Sequence, residues 1–274
     1  MKVLVLGGSG FLGCELARRA VEAGHDVTAT YLNRLGEVDG VEWSLLDIRH
    51  REEVVNLVGT LGPDVVINTA YRQTDWIITA DGAAHVALAA SAVGARLVHV
   101  SSDAVFSGAD VHYDETSVPD PITPYGAAKA AAETAIRAIT PGAVIARTSL
   151  IIGDGGSSHE AVVHALATGE RQGMLFTDMV RCPVHVADLA AALLELASSD
   201  LAGVHHIAGV DAVSRYELGL LVARRDGLDA DALPSGRCAA AGFSGPLDVR
   251  LDCTATQRHL RTKLRGAREF LAPV

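Results

Sequence analysis

The chain has 274 residues, 49% of them hydrophobic and 20% charged, with a formal net charge of −10. That much apolar material builds a core and excludes a disordered chain, and the length leaves one large or two coupled domains open. The acidic balance, 23 Lys and Arg against 33 Asp and Glu, opposes binding along a nucleic-acid backbone.

Taken in chain order, the first two thirds alternate short β-branched runs with Ala-rich helical stretches. Strands are expected at Lys2 to Leu6, Asp26 to Thr30, Val65 to Asn68, Leu97 to Ser101 and Val144 to Arg147. Helices are expected at Leu12 to Ala23, Arg51 to Leu61, Ala83 to Val93 and Tyr125 to Ile139. The strands are continuous apolar runs rather than in/out alternations, the pattern of a parallel sheet covered on both faces. The fold class this predicts is α/β, a Rossmann-type doubly wound parallel sheet. After Gly153 the pattern changes: a Gly/Ser loop to Ser158, a helix from Glu160 to Thr168, a loop to Pro183, a helix from Asp188 to Ala197 and a short strand from His205 to Ala208. The last part carries Pro234, Gly236, Gly242, Gly245 and Pro246 and fewer long periodic segments. We therefore divide the chain into a dinucleotide-binding domain, 1–153 with 183–209, and a smaller C-terminal substrate lobe, 154–182 with 210–274, laid over the carboxyl edge of the sheet.

No apolar run reaches the roughly 18 residues that span a membrane. The longest uncharged one, Gly82 to Ala95, has 14 and contains His85. Val3 to Leu6 is too short for a signal-peptide core. The four cysteines, Cys14, Cys182, Cys238 and Cys253, form no CxxC pair, so the expectation is reduced thiols in a cytoplasmic protein with no metal site.

The first strand closes into Gly7-Gly8-Ser9-Gly10-Phe11-Leu12-Gly13 and opens the first helix. Gly7 permits the tight turn, Gly10 lets the backbone approach a pyrophosphate and Gly13 lets the helix pack close to the strand. The strand-turn-helix context makes this a nucleotide loop, with the helix amides facing the phosphates. The second strand ends in Thr30-Tyr31-Leu32-Asn33-Arg34. Tyr31 stands where an NAD-selective site carries an acid, and Arg34 is available to pair with a 2′-phosphate, so NADP(H) is favoured over NAD(H). Asp47 and Ile48, after the next short strand, are positioned to meet the adenine.

Tyr125 and Lys129 are four residues apart and share one helix face. An ammonium beside a phenol favours the phenolate and makes it usable as an acid or base near neutral pH. With five Tyr and three Lys in the chain, a chance pair at this spacing is expected only about 0.05 times. Upstream, a buried strand emerges into Ser101-Ser102-Asp103. Ser102, with Ser101 as its fallback, can hydrogen-bond the carbonyl oxygen that Tyr125 protonates.

With these motifs in place the sequence resembles the extended short-chain dehydrogenase/reductases, and within them the dTDP-4-dehydrorhamnose reductases. The resemblance runs along nearly the whole chain, through Gly7 to Gly13, Asn68-Thr69-Ala70, Val100 to Gly108, Tyr113 to Thr116, Pro124 to Lys129 with Glu133, Arg147-Thr148-Ser149, Arg181 to Ala190, Val204 to Gly209, Ser214 to Leu218 and Arg250 to Cys253. It implies hydride transfer from NAD(P)H to a keto carbon of a nucleotide-linked sugar, with Tyr125 as proton donor, Lys129 lowering its pKa and holding the nicotinamide ribose, and Ser102 orienting the carbonyl. The cofactor would be held by Gly7, Ser9, Gly10, Phe11, Leu12, Gly13, Tyr31, Arg34, Asp47, Ile48, Thr69, Ala70, Tyr125 and Lys129. The substrate would meet Ser102, Asp103, Val105 and Arg181. The family commonly has Trp after Arg-Thr-Ser, in the sugar pocket; here the residue is Leu150.

Two other readings share these residues. An epimerase of the same fold would keep its cofactor between turnovers. A non-catalytic NADP-binding regulatory subunit would need no phenol-ammonium pair. A dehydratase is opposed by Ala104 following Asp103, which breaks the carboxylate pair that elimination needs. His205-His206 reads as structural. Arg181 is the best of Asp178, Arg181 and Arg250 for holding a diphosphate, since a guanidinium suits phosphate oxygens. Ala-rich faces on the helices at Ala83 to Val93 and Tyr125 to Ile139 make a homodimer a further expectation.

Overall fold

Strand β1 (Lys2–Leu6) shows why the sheet is covered on both sides. Val3 and Val5 belong to one buried cluster, Leu4 and Leu6 to another. Successive side chains point to opposite faces, so a run with no polar member needs packing on each. In the computed structural model, which describes residues 1–273, β1 is followed by β2 (Asp26–Tyr31), β3 (Val41–Leu45), β4 (Val65–Asn68), β5 (Arg96–Ser102), β6 (Val144–Thr148) and β7 (Gly203–Ile207). All pair in parallel, in the order β7-β6-β5-β4-β1-β2-β3. The chain winds outward from β1 to β3 and then returns to β4 on its other side. That reversal leaves a crevice beyond the carboxyl ends of β1 and β4. The expected α/β doubly wound fold is borne out.

The helices are α1 (Phe11–Glu22), α2 (Arg51–Leu61), α3 (Gly82–Val93), α4 (Pro124–Ile139), α5 (Ser158–Ala167), α6 (Val186–Ala197) and α7 (Arg215–Arg225). α1 and α6 set Leu16, Ala20, Leu189 and Leu193 against Val3, Val5, Val65 and Val98 on one face. α2, α3 and α4 set Val54, Val58, Val86, Ala90, Ala132 and Ile136 against Leu4, Leu6, Leu97 and Ile145 on the other. A third cluster joins α5 and α7 through Val163, Leu166, Leu175, Leu218 and Val222. Among the described residues no helix is long and apolar enough to cross a membrane.

Helix α4 carries the Tyr125 and Lys129 face, and its position is set from below. Glu133, one turn past Lys129, and Arg147 of β6 are each 1% exposed. Arg147 donates to Glu133 through Nη2 at 2.8 Å and Nε at 3.0 Å. Ser101 of β5 donates to the same carboxylate at 2.6 Å. The guanidinium also donates to the Ser117 carbonyl at 3.1 Å and lies 5.0 Å from the Phe106 ring centroid. This bidentate pair ties the helix to two adjacent strands. The same contact decides between the two serines: Ser101 is consumed by the clamp, and Ser102 points the opposite way.

The sequence reading falls short in the C-terminal third. Helix α7 is eleven residues long and was not expected, because Arg215, Glu217, Arg224 and Arg225 dilute its apolar face. The expected loop before Pro183 contains the two-residue strands Leu175–Phe176 and Val180–Arg181, too short to show any period. The division of the chain also shifts. Residues 210–274 were assigned to the small lobe, yet Val249, Leu251, Cys253, Leu260 and Leu264 bury in the first cluster with the sheet. Arg250–Leu251 pairs in parallel with His112–Tyr113, a long-range contact that no local pattern announces.

Glu133→Gln removes the charge opposite Arg147 and leaves a buried guanidinium uncompensated, which costs about 3–5 kcal/mol. The double variant Glu133→Met/Arg147→Met is expected to recover most of it. Urea unfolding checks this; a double variant as unstable as the single one contradicts the account.

Candidate active site

The glycine loop is built on close approach. Gly7 has φ +76°, and a Cβ there would lie 2.8 Å from the Ala70 backbone. A Cβ on Gly13 would lie 2.3 Å from the Gly7 carbonyl oxygen, so only glycine lets α1 start this near β1. Gly7 N donates to Thr30 Oγ1 at 3.0 Å, and Thr69 Oγ1 donates to the Leu6 carbonyl at 2.8 Å. These bonds fasten the ends of β1, β2 and β4 to one another. No side chain caps α1, so its first amides remain for a ligand.

A cleft of about 620 Å³ opens over this loop. It is lined by Gly7, Ser9 and Gly10 at one wall, Tyr31, Arg34, Asp47 and Ile48 at the far end, and Thr69, Ala70 and Tyr71 opposite. Its volume and its backbone-lined floor fit a nucleotide cofactor. Nine of the expected cofactor residues therefore share one cavity. Five do not line it: Phe11, Leu12, Gly13, Tyr125 and Lys129. Leu12 is buried in the core and Gly13 packs on the loop behind, so both act through backbone placement. The Phe11 ring packs where a Cβ on Gly153 would come within 2.6 Å and one on Gly156 within 3.0 Å, so it links α1 to the start of the second lobe.

At the far end Arg34 is 84% exposed and pairs with Glu37 at 2.7 Å. An exposed pair of this kind is weak, so the guanidinium is free to exchange partners. Asp47 is held by Arg49, whose Nε lies 2.9 Å from Oδ2. That hydrogen bond keeps the Asp47 carboxyl below its ordinary range.

At the other end, Ser102 closes β5 and Tyr125 opens α4 after the Thr123 cap and Pro124. Ser102 Oγ accepts from Ala104 N at 3.2 Å and donates to Asp103 Oδ1 at 3.2 Å. Lys129, 3% exposed, donates through Nζ to the Val100 carbonyl at 2.9 Å. Burial lowers its pKa to about 8, against an opposing pull from Glu133. The Tyr125 phenol is pushed up, chiefly by burial and then by Tyr71, with the Ser102 hydroxyl pulling the other way. The expected lowering by Lys129 is thus not present in this arrangement. The ammonium is committed to Val100, and burial of the phenol dominates. Sequence reasoning missed Tyr71, whose ring lies 5.9 Å from that of Tyr125 and 5.2 Å from Lys129 Nζ. Its place directly after Asn68-Thr69-Ala70 was the available signal.

Two expected substrate contacts change role. Val105 has no exposed surface and belongs to the core. Arg181 is mainly a strut, with one Nη2 donor left uncommitted: Nη1 donates to the Val180 and Leu247 carbonyls, Nη2 to Pro246, and Nε lies 3.5 Å from Asp103 Oδ2. Asp103 also accepts from Ser149 Oγ at 2.7 Å. Asp178 accepts from Cys238 N at 2.8 Å, and Arg250 pairs with Asp248 at 2.7 Å. His205 and His206 are buried beside Thr256 and Asp252. Among the described residues no cluster of three or more His, Cys, Asp or Glu could hold a metal.

The model of the RmlD substrate binding domain matches residues 1–274. The chain belongs to that family. The dTDP-4-dehydrorhamnose reductase of Mycobacterium tuberculosis H37Rv is 33% identical over 245 residues, 83% of this chain and 76% of the relative. The crystal structure of dTDP-4-dehydrorhamnose reductase from Bacillus anthracis in complex with NADP superposes with a TM-score of 0.84 at 24% identity, covering 98% of this chain and 96% of that one. The Bordetella bronchiseptica enzyme WbmH in complex with NAD+ superposes at 0.83 and 21% identity, covering 100% and 96%. Both structures share the fold. The resemblance expected from the sequence is borne out.

The lowered Lys129 pKa has a stability signature. The unfolded chain binds that proton more tightly than the folded one, so the folded state is penalised while the ammonium is charged, and the penalty fades as pH rises from about 8 toward the ordinary 10.5. Across that window the parent should gain stability relative to Lys129→Met, as read by urea unfolding at stepped pH. A gap between the two that stays constant or moves the other way contradicts the burial argument.

Proposed function

We infer that this protein is an NAD(P)H-dependent reductase acting on the keto group of a nucleotide-linked 6-deoxy sugar, with NADPH preferred. The observation that carries the reading is the grouping of Ser102, Tyr125 and Lys129 beside Tyr71, a residue that lines the cleft whose floor is the glycine loop. The reductase relatives support the same reaction. A bound nicotinamide dinucleotide supplies a hydride for the keto carbon.

The protein's own residues supply the proton and the geometry. The Tyr125 phenol gives its proton to the carbonyl oxygen as that oxygen becomes an alkoxide, and it is reprotonated from solvent afterwards. A phenol held protonated by burial suits the reducing direction, since it enters each turnover as an acid. Ser102 redirects its hydroxyl from Asp103 to the same oxygen and fixes the carbonyl's orientation. Lys129 stabilises the transient phenolate across the Tyr71 ring and offers its remaining donors to the nicotinamide ribose. Asp103, tied to Ser149 and Arg181, holds the strand end that carries Ser102. Arg34, released from Glu37, pairs with a 2′-phosphate, and no carboxylate stands at Tyr31 to repel it.

Tyr125→Phe keeps the ring and removes the donor, so kcat should fall about 10²–10⁴-fold, with NADPH affinity nearly unchanged. This is checked by NADPH consumption with dTDP-4-dehydrorhamnose; unaltered turnover sinks the mechanism. Deprotonating Lys129 removes the charge that stabilises the phenolate, so the parent's reduction rate should decline as pH rises through about 8. A rate that climbs across that range contradicts the assignment.

Arg34→Ala should raise KM for NADPH far more than for NADH. Equal effects on both remove Arg34 from the phosphate site, and equal use of both cofactors by the parent removes the NADPH preference.

A further inference from the structure

Arg215 stands apart from the other enclosed arginines. Arg147 meets Glu133, Arg181 meets Asp103 and Arg225 meets Glu160, at 2.8, 3.5 and 2.7 Å. Among the described residues Arg215 meets no carboxylate. Its Nη2 lies 3.2 Å from His159 Nδ1, and its Nη1 is buried with no partner. His159 is the accepting, neutral ring, because burial and then Arg215 push its pKa down to about 4. The charged groups that Arg215 feels are Arg181, which repels it, and Asp103, which attracts it. Asp103 is already engaged by Ser149 and Arg181. Two guanidiniums thus share one carboxylate, immediately after Ser102 in the chain. One positive charge and one enclosed N–H are left over, an arrangement that costs stability unless an oxyanion meets it.

Arg181 completes the pattern. A guanidinium has five donors. Three N–H groups of Arg181 go to the carbonyls of Val180, Leu247 and Pro246, and Nε faces Asp103. One donor on Nη2 remains. We propose that Arg215, together with that remaining donor of Arg181, anchors the diphosphate of the nucleotide-linked substrate. The proposal rests on the reductase reading above and assigns the phosphate end of its substrate. A keto sugar is neutral, whereas a diphosphate brings adjacent oxyanions, and planar guanidiniums match phosphate oxygens. Arg215 swings from His159, its one side-chain partner, to reach the incoming phosphate. The family resemblance through Ser214 to Leu218 contains this residue without giving it a task.

The test uses the full chain saturated with NADPH, so that the cofactor cleft is filled, and dTDP as the probe. Arg215→Met should weaken dTDP binding by roughly 10- to 100-fold, the scale of a lost hydrogen bond to a charged group. KM for the dTDP-linked keto sugar should rise with it, and kcat should change little. Arg215→Lys keeps the charge without the fork and should fall between. Thermal unfolding without dTDP gives an independent sign. Removing an uncompensated guanidinium should raise Tm, and the stabilisation that dTDP confers on the parent should shrink. A lowered Tm with dTDP binding intact makes Arg215 a structural residue and overturns the proposal. A parent that binds dTDP but reduces no keto sugar overturns the reductase reading alone, and a parent that binds no dTDP overturns both.

Discussion

The buried pair of Glu133 and Arg147 is the constraint on which the candidate active site depends. Tyr125 and Lys129 sit on α4 and Ser102 ends β5, so their relation is only as fixed as the helix is on the sheet. Apolar packing of Ala132 and Ile136 holds the helix at a distance but tolerates rotation, because small apolar faces slide with little penalty. A bidentate ion pair with a serine on the same carboxylate has one geometry. Desolvating two charges makes such a pair a poor source of net stability. What it supplies is position.

The cofactor end obeys a different rule. There the constraint is absence of side chains: Gly7 and Gly13 allow contacts that any Cβ would block. The resulting floor is backbone, and its amides are fixed by the strands and helix that meet at it. The rim is built differently, from the side chains of Arg34 and Glu37, both exposed. Rigid floor and adjustable rim follow from the topology, since the floor lies at the crossing of β1 and β4 and the rim on the loop after β2.

Polar strain is concentrated around Tyr125, Lys129 and Arg215. Lys129 is enclosed with a lowered pKa, Tyr125 is enclosed with a raised one, and Arg215 keeps an N–H with no partner. Lys129 and Arg215 are unfavourable for the folded chain taken alone and useful once a ligand brings the missing charge or acceptor, whereas the Tyr125 phenol is neutral near neutral pH and carries no such penalty. Binding sites preorganised in this way carry a stability penalty that the apolar clusters on both faces of the sheet offset.

The amino-acid sequence by itself determined the strand-helix alternation, the covered parallel sheet, the glycine loop and the Tyr125 and Lys129 face, because each is written in local periodicity or in spacing along one helix. Tertiary structure alone decided what long-range contacts control. It set Ser101 into the clamp and Ser102 toward the phenol, turned Arg181 into a strut, and buried Val105 in the core. It also brought 249–264 back onto the sheet and placed Tyr71 beside Tyr125 and Lys129. Whether an arginine is a strut or a ligand depends on which carbonyls and carboxylates the folded chain delivers to it from dozens of residues away, and no local pattern encodes that delivery.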